Sequence, residues 1–273
     1  MSVLSLRLAI AATVLIAWSV RPAPAQAEAG PRELAVQAQN PLPSLISVPI
    51  QNNFNFRYGP RQGLQDGLNF QPIVPAAVST NFNIITRAVV PLIFNPSMTH
   101  EISAVAGLGD IQITPFLSPA PTGPWVWGIG PVIQLPTHSS RTLGNDNLGL
   151  GPSAAVLRWE PGSPWVLGGI AYTAWSLGTS PSAASYSIGY LQPLLTYVFE
   201  DGLYVTSSPI LKADWLAAAG RQILLPLGGG VGKILHLGKV PMSVELSAYY
   251  NVAKRDYDAD WQLRLQIQFL FSK

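Results

Sequence analysis

Five charged residues stand at alternate positions within segments that are otherwise rich in large apolar side chains. A period of two places successive side chains on opposite faces of a β-strand, so these charges would share the face away from the apolar residues. On the inner face of a barrel, such charges either pair with one another and brace the wall or form charged rings that select ions and solutes. Both roles stay open for these lumen and selectivity candidates, which are Arg57, Arg87, Asp110, Glu245 and Arg264.

One specific ion pair is expected between two of these candidates. Arg87 and Asp110 fall on consecutive predicted strands, 81–94 and 106–117, which would be hydrogen-bonded neighbours in an up-and-down barrel. Because both residues fall on the inward pleat, a charge-assisted pair could form without crossing the sheet. Lumen water would keep its contribution to stability modest.

The histidines offer candidates for catalysis or metal binding. His100 and His138 fall in successive predicted outer loops, with Glu101 beside the first and Ser139–Ser140 beside the second. A lipid hydrolase would need a histidine within hydrogen-bond reach of a serine and oriented by a third group. Solvated loop histidines are the simpler interpretation, and no i, i+2 or i, i+4 ligand spacing indicates a metal. We therefore predict a protein that is not an enzyme and has no metal.

No cofactor is expected either. The glycine-rich run GLGPSA (149–154) has dinucleotide-binding spacing, but no helical pattern follows it, and that motif requires a strand–turn–helix context.

The elements that must position these residues are β-strands. From Trp261 to Phe269 every second residue is large and apolar, and the residues between are glutamines and one arginine. Hydrophobic residues make up 48% of the chain and charged residues only 11%, a composition typical of membrane proteins. A charge facing mid-bilayer hydrocarbon would cost about 2–4 kcal/mol, so the apolar face is expected to meet lipid and the amides to line a lumen.

The N-terminus carries the pattern of a secretory signal. Arg7 precedes the apolar run 8–20, and an A-x-A cleavage site follows at 25–27. We therefore divide the chain into a signal peptide (1–27), a periplasmic N-terminal segment (28–43) and a barrel (44–273). Removal of 1–27 leaves 14 basic and 14 acidic side chains, which gives no argument for a nucleic-acid partner, and the chain has no cysteine.

The segments and their connections predict a transmembrane antiparallel up-and-down β-barrel, all-β, of about twelve strands. Tight connections such as EPGS (160–163), EDG (200–202) and LGK (237–239) alternate with longer ones such as THSSRTLGND (137–146). Short periplasmic turns that alternate with longer external loops are typical of outer-membrane barrels. A proline in nearly every strand predicts bulges or locally opened ladders, because proline cannot donate to the ladder.

Several runs together resemble one bacterial family. They are LISVPIQNNFNF (45–56), NFNIITRAVVPLI (81–93), GLGD (107–110), WGIGPVIQLPT (127–137), LQPLLTYVFEDG (191–202) and DWQLRLQIQFLF (260–271). The family is a group of outer-membrane transporters related to the phenol meta-pathway barrels, often mislabelled "neuromedin U". The resemblance covers the mature chain and implies an outer-membrane barrel with a transport role and no catalytic residues.

We accordingly expect a channel or passive transporter for small solutes in the cell outer membrane. Its expected partners are membrane lipid, small solutes in the lumen and the barrel-assembly machinery. A closed structural or adhesive barrel, and an outer-membrane lipid hydrolase, are the alternatives at this stage.

Overall fold

The computed structural model describes residues 29–99 and 103–272, and the predicted signal peptide, His100 and Glu101 lie outside them. The described chain is all-β apart from one short helix. Its elements are α1 (Pro31–Gln39), β1 (Ile46–Tyr58), β2 (Gly63–Phe70), β3 (Ile73–Ala77), β4 (Phe82–Asn95), β5 (Val105–Leu108), β6 (Ile111–Pro119), β7 (Trp125–Leu135), β8 (Gly149–Arg158), β9 (Trp165–Ser176), β10 (Ser187–Val198), β11 (Leu203–Ser207), β12 (Leu211–Asp214), β13 (Ile223–Leu237), β14 (Val240–Ala253) and β15 (Trp261–Phe271).

All fifteen strand segments belong to one antiparallel sheet that closes on itself. β15 pairs with β1, and β9 pairs with β10, so no edge is left open. The segments β2 and β3, β5 and β6, and β11 and β12 each form one interrupted strand, which gives twelve strands around the barrel. The predicted fold and strand number are confirmed.

The interruptions lie at 71–72, at 109–110 and at 208–210. Two of them contain a proline, Pro72 and Pro209, which cannot donate to the ladder. The pairing of β6 with β7 also skips from Ile113 to Leu117, across Pro115. There the backbone of Pro115 approaches Gly130 so closely that a β-carbon on Gly130 would collide with it. At Pro72, Pro115 and Pro209 the ladder is therefore opened locally, as the sequence predicts, whereas other strand prolines such as Pro49 and Pro193 lie in continuous pairing.

The strands present opposite chemistry on their two faces. Outward positions carry exposed large hydrophobics such as Leu265 (38% exposed) and Leu246 (49%), whereas the inward Arg264 and Gln268 are each 2% exposed. This arrangement is the reverse of a soluble protein, and it places apolar side chains where lipid hydrocarbon would be. Exposed aromatic residues lie near both ends of the strands, among them Trp125, Trp165, Trp175, Tyr250 and Trp261.

Two aromatic residues near the strand ends do not face outward. Tyr249 is 2% exposed, and its ring lies under the Arg264 guanidinium. Tyr58 lines a lumen cavity of about 390 Å³. Both rings therefore belong to the lumen and not to the lipid interface.

The two ends of the barrel differ in their connections. At one end, here the turn end, strands are joined by the short segments 78–81, 120–124, 159–164, 199–202 and 238–239. At the other, the loop end, the connections are 59–62, 96–104, 136–148, 177–186, 215–222 and 254–260. The alternation of tight and long connections follows the predicted pattern, with the added short turn at 59–62.

Helix α1 lies inside the barrel, toward the turn end. Its buried residues Leu34, Ala35 and Val36 pack against inward side chains of the wall, which include Val166 and Val198. The periplasmic assignment of 28–43 stays a prediction, and within that segment residues 31–39 lie in the lumen because the apolar face of α1 packs on the inner wall. Among the described residues, no helix is both long and apolar enough to span a membrane.

Candidate functional site: the barrel lumen

Three cavities follow one another through the lumen. The vestibule, about 390 Å³, lies toward the loop end and shares the lining residues Gln51, Gln71, Arg87 and Tyr190 with an inner cavity of about 120 Å³. The inner cavity reaches α1, and Asn40, just after the helix, lines both it and a turn-end cavity of about 320 Å³. A chain of spaces thus runs from the loop end, past α1, to the turn end.

The chemistry of the lining changes along this chain. The vestibule is lined by many amide side chains, namely Gln51, Asn53, Asn55, Gln65, Asn69, Gln71, Gln112, Asn251 and Gln262. The turn-end cavity is lined instead by aliphatic side chains, several prolines and Trp159. A solute would therefore pass from a polar to an apolar environment.

Arg264 braces the wall at the interruption between β11 and β12. Its Nη1 donates to the backbone carbonyl of Ser208 at 3.0 Å, and its Nε donates to Asn53 Oδ1 at 3.2 Å. The guanidinium also lies 4.7 Å from the ring centroid of Tyr249. The interruption leaves the Ser208 carbonyl without a ladder partner, and a buried carbonyl in that state is costly. Arg264 supplies the missing donor.

Glu245, 4% exposed, holds the end of α1. Its carboxylate accepts hydrogen bonds from Gln39 Nε2 at 3.3 Å, from Tyr204 Oη at 3.2 Å and from Ser247 Oγ at 2.7 Å. Gln39 Oε1 in turn accepts from the hydroxyl of Thr196 at 3.4 Å. The carboxylate is thus surrounded by donors from both the helix and the wall.

Arg87 lies between the vestibule and the inner cavity and lines both. Its Nη2 donates to Gln71 Oε1 at 2.5 Å, at the interruption between β2 and β3. Among residues 29–99 and 103–272, no carboxylate lies within ion-pair distance of Arg87. Its positive charge is therefore balanced by dipoles alone.

Asp110 does not pair with Arg87, and that prediction is wrong. Its carboxylate accepts hydrogen bonds from the backbone N–H of Thr137 and His138 at 3.2 Å and of Asn145 at 2.7 Å. Asp110 falls in the interruption between β5 and β6, where the chain leaves the pleat and the carboxylate turns toward loop 136–148. Arg87 lies opposite Thr114, further along β6. Asp110 therefore fastens a loop.

Arg57 does not line the lumen either. The register of β1 against β2 shifts between Phe56 and Tyr58, and Arg57 adopts a φ of 59°, so a bulge interrupts the alternation. The bulge turns Tyr58 inward and leaves the Arg57 side chain 64% exposed, 3.1 Å from Asp260 at the loop end. Sequence periodicity alone gives no sign of this bulge.

His138 is not arranged for hydrolysis. Its Nδ1 lies 2.7 Å from Asp110 Oδ1, and its Nε2 lies 3.2 Å from Asp146 Oδ1. Both ring nitrogens therefore face carboxylates, and neither is left to accept the proton of a serine hydroxyl. The hydroxyl of Ser139 bonds to the carbonyl of Leu108, and that of Ser140 to Thr142.

Two lumen features escaped the sequence analysis. Lys212 lines the vestibule, although the short segment around it follows a proline and shows little alternation. The rings of Tyr172 and Tyr190 stack with centroids 4.6 Å apart and form part of the vestibule wall. The stack joins β9 and β10, the pair that closes the barrel.

Known structures share this architecture. The COG4313 outer membrane channel from Pseudomonas putida F1 is similar with a TM-score of 0.61 and 12% identity, over 85% of this chain and 98% of that chain. A NanC porin is similar with a TM-score of 0.50 and 9% identity, over 84% of this chain and 100% of that chain. Outer membrane phospholipase A from Escherichia coli has a TM-score of only 0.40, at 11% identity, over 84% of this chain and 98% of that chain.

Sequence comparison adds the family. No protein of curated function matches the chain. The model of the family described as "Putative MetA-pathway of phenol degradation" matches residues 21–206, which is more than half of the chain. This outer-membrane β-barrel therefore belongs to the phenol-degradation MetA-pathway family.

Proposed function

We propose that the protein is a channel for the passive passage of small solutes across the outer membrane. The observation that carries this proposal is the series of three cavities, which share lining residues from the loop end to the turn end. The fold of an outer membrane channel and a family described by phenol degradation both fit the passage of a small molecule.

The narrow part of the proposed pathway is the inner cavity, about 120 Å³. Of the charged residues that line it, Arg264 and Glu245 are engaged by several partners each, whereas Arg87 donates to the neutral side chain of Gln71 and has no carboxylate partner among the described residues. We assign selectivity to Arg87 and a bracing role to Arg264 and Glu245. Asp110 and Arg57 hold the loop-end connections and act on solutes only through the shape of the mouth.

The orientation of the barrel is part of the proposal. With the turn end in the periplasm, the start of β1 and the end of β15 lie on the periplasmic side, where an exported chain would meet the assembly machinery. Protease added to intact cells should then cut loop 136–148 and spare the turn at 199–202. Cleavage confined to 199–202 would invert the orientation.

The two alternatives have weaker support. A closed barrel would require α1 to seal the lumen, yet Asn40 lines cavities on both of its sides. A lipid hydrolase would require a free imidazole nitrogen beside a serine, and His138, the candidate histidine that lies within the described residues, has none. We therefore propose that the protein is not an enzyme.

Liposome swelling tests the proposal. Vesicles that contain the folded protein should swell in glycerol and more slowly in larger sugars, because the inner cavity limits solute size. Replacement of Asn40 by Trp, at the passage between two cavities, should slow swelling, whereas Trp in place of the exposed Lys239 should not. Swelling no faster than protein-free vesicles would overturn the channel.

A further inference from the structure

Lys212 occupies a distinctive position in the vestibule. It lies on β12, opposite Tyr190 on one side and Leu224 on the other, and its side chain lines the vestibule. The segment β12 follows the interruption at 208–210, which brings the lysine to the wall beside the stacked Tyr172–Tyr190 pair.

Each of the other lumen cations has at least one hydrogen-bond partner. Arg255 donates from Nε and Nη2 to the two oxygens of Asp258 at 2.8 and 3.1 Å, Arg264 is held by the wall, and Arg87 donates to Gln71. Within the described part of the chain, the side chain of Lys212 makes no hydrogen bond and no ion pair. A lysine ammonium carries three donors, so this group is free to bind an incoming acceptor.

The charged side chains that line the vestibule carry an excess of positive charge, which favours an anion. The lining includes three cations, Arg87, Lys212 and Arg255, and one carboxylate, Asp258. Since low-dielectric walls focus such a field, an excess of positive charge raises the local concentration of anions. The volume of about 390 Å³ lies within the range of small-molecule sites.

The uncharged side chains that line the vestibule indicate which other chemical groups the anion has. Amide side chains can both donate and accept, and those of Gln65, Asn69, Gln112 and Asn251 line the vestibule. Such groups suit hydroxyls, which also donate and accept, better than they suit a bare hydrocarbon chain. We propose that the vestibule is a binding subsite for small hydroxylated carboxylates, with the carboxylate on Lys212. The inference deepens the proposed function, since it names the class of solute that the pathway takes in.

Equilibrium binding tests the subsite without any need for conduction. In calorimetry on the folded full-length barrel in detergent, gluconate should bind, glucose should bind at least about tenfold more weakly, and so should hexanoate, because each lacks one of the two features. Equal affinity for glucose would overturn the role of charge, and equal affinity for hexanoate would overturn the role of the hydroxyls.

Substitutions locate the site. Lys212→Gln should weaken gluconate binding at least about tenfold, Lys212→Arg should retain most of it, and Lys239→Gln, which removes the same charge from an exposed turn, should leave it unchanged. Heat-modifiable migration in gels verifies that each variant folds. Wild-type affinity in folded Lys212→Gln would overturn the subsite, whereas binding by a barrel that does not conduct would overturn the channel and leave the subsite standing.

Discussion

The two halves of the lumen are built from the same strands, but their inner faces differ in chemistry. Toward the turn end, inward positions are aliphatic or aromatic, as at Val166, Val198 and Tyr204, and they pack on α1. Toward the loop end, inward positions carry amides and charges such as Asn53, Gln65 and Arg87, which line open space. The inner face of the barrel is thus apolar where it packs on α1 and polar where it lines the vestibule.

The charged residues sharpen this comparison. Arg87, Asp110 and Arg264 each contact a place where a strand is interrupted, at 71–72, 109–110 and 208–210 respectively. Interruption frees backbone groups or releases the chain from the pleat, and polar side chains restore the lost hydrogen bonds. Most charged side chains of the lumen therefore form hydrogen bonds that stabilise the barrel wall. Arg87 and Lys212 are the charged groups most available to a solute.

The largest expected effect is a loss of stability after a substitution in the apolar, turn-end half of the lumen. Val198→Asp buries a carboxylate among the side chains that pack on α1, and we expect about 3–5 kcal/mol of destabilisation. Asn69→Asp in the polar, open vestibule should change stability by less than about 1 kcal/mol. Urea unfolding in detergent or lipid measures both. Equal losses would mean that the two halves do not differ as described.

The next effect distinguishes a residue that stabilises the barrel wall, Arg264, from one that selects ions, Arg87. Arg264→Ala leaves the Ser208 carbonyl unpaired and should cost about 2–3 kcal/mol of stability. Arg87→Ala loses one hydrogen bond and should cost about 1 kcal/mol, but it should shift ion preference toward cations. Unfolding gives the first quantity, and the reversal potential across a salt gradient gives the second. An unchanged reversal potential in Arg87→Ala would make that residue a brace too.

A smaller effect concerns the contact between the two halves. Gln39→Ala removes the hydrogen bonds from α1 to Glu245 and Thr196, at a cost of about 1 kcal/mol. Glu245 keeps Tyr204 and Ser247 as donors, so the wall should stay folded. Because α1 is then held less firmly, conductance should fluctuate more in single-channel records. A steady current equal to wild type would show that Gln39 does not retain the helix.

The smallest effect lies at the loop end. The hydrogen bond from Lys254, followed by the charges of Lys254 and Arg57, lowers the pKa of the Asp260 carboxyl below its usual value. A depressed pKa in the folded state means that the pair stabilises the loop above about pH 4 and loses that effect as the pH falls through the folded-state pKa. Hydrogen-exchange protection at 254–260 should fall in acid for wild type and change less in Asp260→Asn. Identical profiles would contradict this role.

The sequence could predict the wall but not its contents. The alternation at 261–269 and the pattern of tight and long connections were sufficient for the barrel and its faces, because lipid imposes a period of two on every strand. The sequence could not show that the segment PRELAVQAQ (31–39) folds into the lumen, since nine residues with a short apolar face are equally compatible with a free helix.

The errors at individual site residues have a common cause. Arg57 and Asp110 lie where the period of two fails, at a bulge and at an interrupted strand, so counting alternate positions misplaced both. Lys212 was missed for the same reason, because β12 is too short to show alternation. Arg87, Glu245 and Arg264 lie on uninterrupted strands, where the period of two holds, and they line the inner cavity.

Conductance of the folded protein in planar bilayers tests the central claim most directly. A continuous lumen predicts discrete, small current steps for wild type in potassium chloride, and smaller steps when Asn40→Trp narrows the passage beside α1. The absence of current steps from correctly folded, inserted wild-type protein would contradict the account, because α1 would then seal the lumen and the barrel would be closed.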